Sequence, residues 1–360
     1  MFVAAVVVLS HSYSMSPTVP DLVWLVLVFT VIWITWLQTS LLFNVHRSQR
    51  LTMRLLVLSQ MLLLVLAAVS ASDGTYRHSE YVGPILGLIV IVLAAMQWKA
   101  ERDDPDMRSY VRPRMAGNAI AAVLLLSTPL WPDPTYIVGW LAAIAAILVP
   151  TLRPDPLAGK RRDREHLVER FGAFTIIMLG ESFVKTALSA TEEQMEGLDL
   201  ICLAGTFVIV FAIWWIYFAD VPVAGPPKHH NGHHAWMLLH LPLHLAIVGI
   251  AVGAARVVLI DEHAIAEEAI PYLAIPLAAV LVCLALIARL SSTGRTGPVV
   301  ATHLGAAMVV GAIGAIASIA DPGGIEGTSV VLAAVMVLVV VAITRIRASA
   351  SATVEVGAGG

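Results

Sequence analysis

Twelve apolar stretches, separated by short polar joints, organise the chain: residues 1–15, 20–44, 52–70, 80–98, 112–130, 134–152, 168–190, 198–219, 235–259, 269–290, 297–319 and 327–346. Most approach the ~20 residues that a helix needs to cross ~30 Å of hydrocarbon at ~1.5 Å rise per residue. The stretches are continuously apolar rather than alternating, and too long for barrel strands, so they predict helices. Proline and glycine mark the joints: Asp104-Pro105, Trp131-Pro132-Asp133-Pro134, Arg153-Pro154-Asp155-Pro156, Gly225-Pro226-Pro227 and Asp321-Pro322-Gly323-Gly324. The first stretch is several residues short of a span.

Composition says what these helices face. Of 360 residues, 58% are hydrophobic and 13% charged. A water-soluble domain carries about 25% charged residues, so this chain cannot cover a surface in water, and it is too apolar to stay solvated as coil. The expectation is an all-α, polytopic integral membrane protein of about 12 transmembrane helices, with the lipid bilayer as its first partner. A net charge of −3 implies no nucleic-acid partner. Cys202 and Cys283 lie inside apolar stretches and read as small buried hydrophobes.

The basic residues test the parse. Of 22 Lys and Arg, all but Arg77, Lys185 and Arg256 fall near the C-terminus, in the joints that follow an even-numbered span or at the span ends that border those joints. Such asymmetry is the positive-inside pattern, and it places both termini in the cytoplasm. The chain also repeats itself. Val28-Phe-Thr-Val-Ile-Trp33 resembles Val210-Phe-Ala-Ile-Trp-Trp215, and Met53–Ala68 resembles His234–Gly249 at nearly the same offset. Pro84–Arg102 pairs with Pro271–Arg289. Six spans per half is an even number, so the halves enter from the same side, as two parallel six-helix repeats. The expected boundaries are a first repeat at 1–152, a basic cytoplasmic linker at 153–167, a second repeat at 168–347 and a flexible tail at 348–360.

The few polar groups at membrane depth carry any chemistry. Glu181 lies 10–12 residues into its span, where a carboxylate is costly unless paired or neutralised. Lys185, four residues on, shares its face. The pair reads either as a proton or cation site or as an internal ion pair that only neutralises two charges. Glu169 and Arg170 mark the cytoplasmic end of that helix as interfacial charges. Asp220 closes the aromatic run Trp214-Trp-Ile-Tyr-Phe218 at the inner interface. His229-His-Asn-Gly-His-His234 reads as a solvated loop. His240 and His244 stand four apart on one helix face, with Pro242 between them, which suits a proton relay or a metal site. His303 and Asn118 read as pathway candidates or as groups that hydrogen bond between helices. In the first repeat, Ser59 and Leu63 stand opposite His240 and His244, so polar chemistry concentrates in the second half. No Gly-Lys-Ser phosphate loop and no Gly-x-Ser-x-Gly elbow occurs.

The stretch His166–Ser182, with Glu-Arg-Phe-Gly and Leu-Gly-Glu-Ser, followed by Trp214-Trp-Ile-Tyr-Phe218 and His240-Leu-Pro-Leu243, resembles the bacterial low temperature requirement protein A (LtrA) family. The similarity extends to Asn44, Arg54-Leu-Leu and Gln60-Met61 in the first half. The resemblance implies a multi-pass protein of the bacterial cytoplasmic membrane, linked by name to growth in the cold. The family typically opens with an acidic-aromatic motif, Glu-Leu-Phe-Phe-Asp-Leu. Here Met1-Phe2-Val3 stands in its place without either acid, so the expectation is either a miscalled start or a truncated first helix. The two-by-six plan is also similar in architecture to certain lysosomal and bacterial potassium channels, an analogy of plan alone. Three functions follow as expectations: a transporter or channel for a small ion or solute, a non-transporting membrane sensor or scaffold, and a membrane-embedded enzyme with metal at His240 and His244. No cofactor is assigned, and a homo-oligomer is compatible with all three.

Overall fold

The computed structural model describes residues 18–46, 50–71, 80–132, 135–153, 164–192, 197–227, 230–258, 266–290, 296–320 and 324–358. Among them the regular structure is entirely helical. The helices are α1 (Val19–Val45), α2 (Leu51–Ala71), α3 (Val82–Asp103), α4 (Arg108–Leu126), α5 (Tyr136–Thr151), α6 (Arg164–Glu192), α7 (Gly197–Ala224), α8 (His230–Val258), α9 (Ala266–Leu290), α10 (Thr296–Ala320) and α11 (Gly324–Ala358). Short 3₁₀ turns, Pro105–Met107 and Thr128–Leu130, follow α3 and α4.

Local chemistry sets several ends. Thr18 caps α1 by accepting from the Asp21 N–H at 3.3 Å, with Pro20 in the first turn where no N–H is needed. Gly225 ends α7 with φ of 59°, and its N–H donates to the Val221 carbonyl at 3.0 Å. That left-handed closure favours a residue without Cβ.

Eight helices are long and apolar enough to cross a membrane among the described residues: α1–α3 and α7–α11. The other three differ for identifiable reasons. α4 carries Arg108, Arg112 and Arg114 in its first two turns, and α5 has only 16 residues. α6 carries Glu169, Arg170, Glu181 and Lys185. The expected span 1–15 lies outside the described residues. The last helix continues through Ala358, into the stretch expected to be a tail.

The chain divides into unit 1, Met1–Arg170, and unit 2, Phe171–Gly360, with α6 crossing the division. In unit 1, α2 packs on α3, α3 on α4 and α4 on α5, while α1 lies against α3 and α5. In unit 2, α8 packs on α9, α9 on α10 and α10 on α11, while α7 lies chiefly against α11, with smaller contacts to α8 and α9, and α9 also touches α11. Each unit buries an apolar core and leaves apolar side chains outward: Leu62 and Val123 in unit 1, Met308 and Leu338 in unit 2. An outward face of that kind is stable only in an apolar solvent.

Two patches of ion pairs close the polar end of unit 1. Glu101 accepts from Arg108 at 3.1 Å and Arg112 at 3.0 Å, which ties α3 to α4. Asp103 is held by Arg50 and Lys99, which draws the start of α2 to the end of α3.

Candidate functional site

The interior of unit 1 holds a network of uncharged polar side chains. Gln38 of α1 donates through Nε2 toward three acceptors: Asn118 Oδ1 of α4 at 3.3 Å, the Ile147 carbonyl at 3.1 Å and Thr151 Oγ1 of α5 at 3.0 Å. Gln97 of α3 donates to Gln38 Oε1 at 2.8 Å. Asn118 Nδ2 donates to Gln38 Oε1 and Gln97 Oε1, both at 3.1 Å. Four helices therefore meet at three carboxamides and one hydroxyl, all buried. Asn118 is thus a group that hydrogen bonds between helices. One side of the network continues to Thr39 and Gln60, which face each other at 3.3–3.4 Å. The other side reaches Arg114, which donates to the Tyr110 and Thr151 carbonyls and stacks over the Tyr110 ring at 3.9 Å. Away from water each such group needs a protein partner, and here the partners are one another.

Unit 2 is built around α8. His240 and His244 are both fully buried, with ring centroids 5.8 Å apart. His240 Nδ1 lies 2.8 Å from the Trp236 carbonyl one turn earlier. A carbonyl only accepts, so Nδ1 carries the proton. Nε2 of the neutral ring then accepts from the Tyr217 hydroxyl of α7, at 3.1 Å. His244 Nε2 lies 2.8 Å from Thr175 Oγ1 of α6, and that hydroxyl lies 2.8 Å from the Phe171 carbonyl. The same logic sends the Thr175 proton to Phe171, so His244 Nε2–H donates to Thr175. The result is two hydrogen-bonded pairs across three helices, His240 with Tyr217 and His244 with Thr175, the two imidazole centroids 5.8 Å apart. Aromatic rings enclose them: Phe171 and Trp236 stand 4.6 Å and 4.3 Å from His240, and Phe174 stands 4.8 Å from His244.

This geometry bears on the metal reading. Both nitrogens of His240 are committed to hydrogen bonds. Among the described residues, no group of three or more His, Cys, Asp and Glu side chains gathers as a metal site. The arrangement holds a proton on a defined nitrogen of His240 and sets each imidazole against a hydroxyl, a group that both donates and accepts.

The other expected site residues fall in three places. Glu181 is half-buried on α6, while the Lys185 side chain lies outside the described residues. Glu169 is exposed at the start of α6; with Arg170 it brackets His166, whose ring lies 3.5 Å from Glu169 and accepts from Arg170 Nε at 3.0 Å. Asp220 forms an ion pair with Arg347 of α11, which also donates to the Ala219 carbonyl. His303 on α10 is fully buried. Two expectations change. The histidine loop is helix from His230 onward, and His233 and His234 are buried rather than solvated, because α8 begins there and turns them inward. Tyr217, expected only as one ring of an aromatic run, packs inside unit 2: it is 1% exposed and bonded to His240.

Sequence reasoning missed Gln38, Gln97, Thr151 and the pairing roles of Thr175 and Tyr217. None is charged, so hydropathy and charge patterns pass over them. The usable signal was an amide or hydroxyl well inside an apolar run.

The chain matches the family described as bacterial low temperature requirement A protein (LtrA) over residues 1–345. It is 24% identical over 284 residues to an uncharacterized protein of Rhizobium meliloti (strain 1021), a match covering 70% of this chain. The chain spans 66% of that relative's length, just under two thirds. No solved structure matches it. A match over nearly the whole length supports one conclusion: the chain belongs to the bacterial low temperature requirement A (LtrA) family.

Proposed function

We propose that this protein moves a small ion or solute across the bacterial cytoplasmic membrane, with the His240–Tyr217 and His244–Thr175 pairs as the proton-handling part of the pathway. The observation that carries the reading is two neighbouring buried imidazoles, each hydrogen bonded to a hydroxyl of another helix and enclosed by aromatic rings, within helices read as membrane spans. Ionisable groups there are costly, and pathways are where membrane proteins keep them. Glu181, with Lys185 one turn on, is the second titrating element. The organisation is twelve spans in two parallel six-helix repeats with both termini inside. The matching neighbour pattern of the two units and the one-sided placement of basic residues support it.

Flux of H⁺, K⁺ and Na⁺ into vesicles carrying the purified protein tests the reading. Flux above that of protein-free vesicles, lost in Tyr217→Phe and in Glu181→Gln while folding is kept, is the expected result. If Glu181 serves only to neutralise Lys185, flux survives in the Glu181→Leu/Lys185→Met double variant. No flux for any ion points instead to a sensor or scaffold, a reading that the fully closed network of unit 1 favours for that half.

A further inference from the structure

The proposed duplication extends to single positions. Arg112–Leu126 of α4 aligns with Gly297–Gly311 of α10, pairing Pro113 with Pro298, Ala116 with Ala301, Ala121 with Ala306 and Ala122 with Ala307. Burial follows the same register. Arg114, Asn118, Ala121, Ala122 and Leu125 are buried, and so are Val299, His303, Ala306, Ala307 and Val310. Positions 112, 116, 119, 123 and 126 are exposed, and so are 297, 301, 304, 308 and 311. Buried positions also match between α3 and α9: Leu86, Val90, Leu93, Met96, Gln97 and Ala100 against Leu273, Leu277, Val280, Cys283, Leu284 and Ile287. Two helices of unrelated sequence share a 3.6-residue rhythm but have no reason to share its phase together with matched proline and alanine positions.

In this register Asn118 corresponds to His303, Gln97 to Leu284 and Gln38 to Asp220. The substitutions have a physical consequence. In unit 1, Asn118 is satisfied by Gln38 and Gln97. In unit 2 the counterpart of Gln97 is a leucine, and the counterpart of Gln38 is engaged with Arg347. His303 is 0% exposed, and neither ring nitrogen has a hydrogen-bond partner among the described residues. The Val299 carbonyl, one turn back, is near enough to influence the ring but outside hydrogen-bonding geometry.

We propose that His303 is a binding position of unit 2 for a small protic solute, water in the first instance, at the place where unit 1 is sealed by carboxamides. A buried polar group with no partner is costly, so it persists where a ligand supplies the missing bonds. A neutral imidazole offers one N–H and one lone pair. Its ligand must therefore accept and donate at once, which a hydroxyl-bearing molecule does and an apolar one does not. The two halves have thus divided labour: one centre holds helices together, and the other takes a ligand. This rests on the duplication and not on transport.

The test uses the full chain in lipid nanodiscs, labelled with ¹⁵N at histidine and asparagine, with water as the probe. Magnetisation transfer from water should reach the His303 ring, assigned by its loss in His303→Gln, and should bypass the Asn118 side-chain amide. Leu284→Gln restores the unit 1 partner, so it should remove the water signal at His303 and raise the melting temperature. A His303 ring as dry as Asn118 in the unaltered protein overturns the proposal. So does a Leu284→Gln protein that folds and keeps the water signal. A negative flux screen leaves both expectations standing, because they read one ring and not transport.

Discussion

Replacing Gln38 by leucine tests the network logic of unit 1. Leucine keeps the approximate volume of the side chain and removes its amide. Gln97 Nε2 then loses its acceptor and Asn118 Oδ1 its donor, since Gln38 is the partner found for each. Thr151 keeps its bond to the Ile147 carbonyl at 2.8 Å, and Asn118 Nδ2 keeps its bond to Gln97. Two buried groups are therefore orphaned. An orphaned group in a soluble core costs about 1–3 kcal/mol. Interhelical bonds in membranes average about 0.6 and reach about 1.7 kcal/mol, because the unfolded state in lipid finds other partners. The membrane figures govern here, and two groups give a loss of about 1–3 kcal/mol. The triple variant Gln38→Leu/Gln97→Leu/Asn118→Leu should be less damaging than the single one, because it leaves no orphan among the carboxamides. Unfolding in mixed micelles, followed by tryptophan fluorescence, measures both. A single variant as stable as the parent, or a triple variant less stable than the single, refutes the reasoning.

Other outcomes follow from particular contacts. Tyr217→Phe removes the hydroxyl that donates to His240 Nε2, so a stability loss of about 1–2 kcal/mol is expected in the same unfolding assay. Gly117→Ala would put a Cβ 2.1 Å from the Ala146 carbonyl, and Gly253→Ala one 2.2 Å from the Tyr272 carbonyl. Backbone cannot yield as a flexible side chain does, so α4–α5 and α8–α9 must part, and both variants should lose monodisperse protein on size exclusion. Asp220 and Arg347 should show positive coupling in a double-mutant cycle: the pair replaced together costs less than the sum of Asp220→Asn and Arg347→Gln, and strict additivity counts against the ion pair.

The membrane class of this protein was legible because lipid imposes a coarse demand. Long apolar runs satisfy it residue by residue, with no reference to what touches what. The His240–His244 face was legible too, since four-residue spacing fixes a shared face by helix geometry alone. Asn118 was readable only as an isolated polar group, because its meaning depends on Gln38 and Gln97, 80 and 21 residues away in the chain. His233 and His234 misled, because the dense polar run resembled a loop while the helix starts within it.

By itself, then, the sequence determined the solvent and most of the helices, both of which follow from local hydropathy and period. Tertiary structure alone decided partnership. It paired Tyr217 with His240 and Thr175 with His244, closed three carboxamides on one another in unit 1 and left both ring nitrogens of His303 without a hydrogen bond among the described residues. Hydrogen bonds are short and directional, so their partners are set by which helices pack and in what register, and no single helix carries that information.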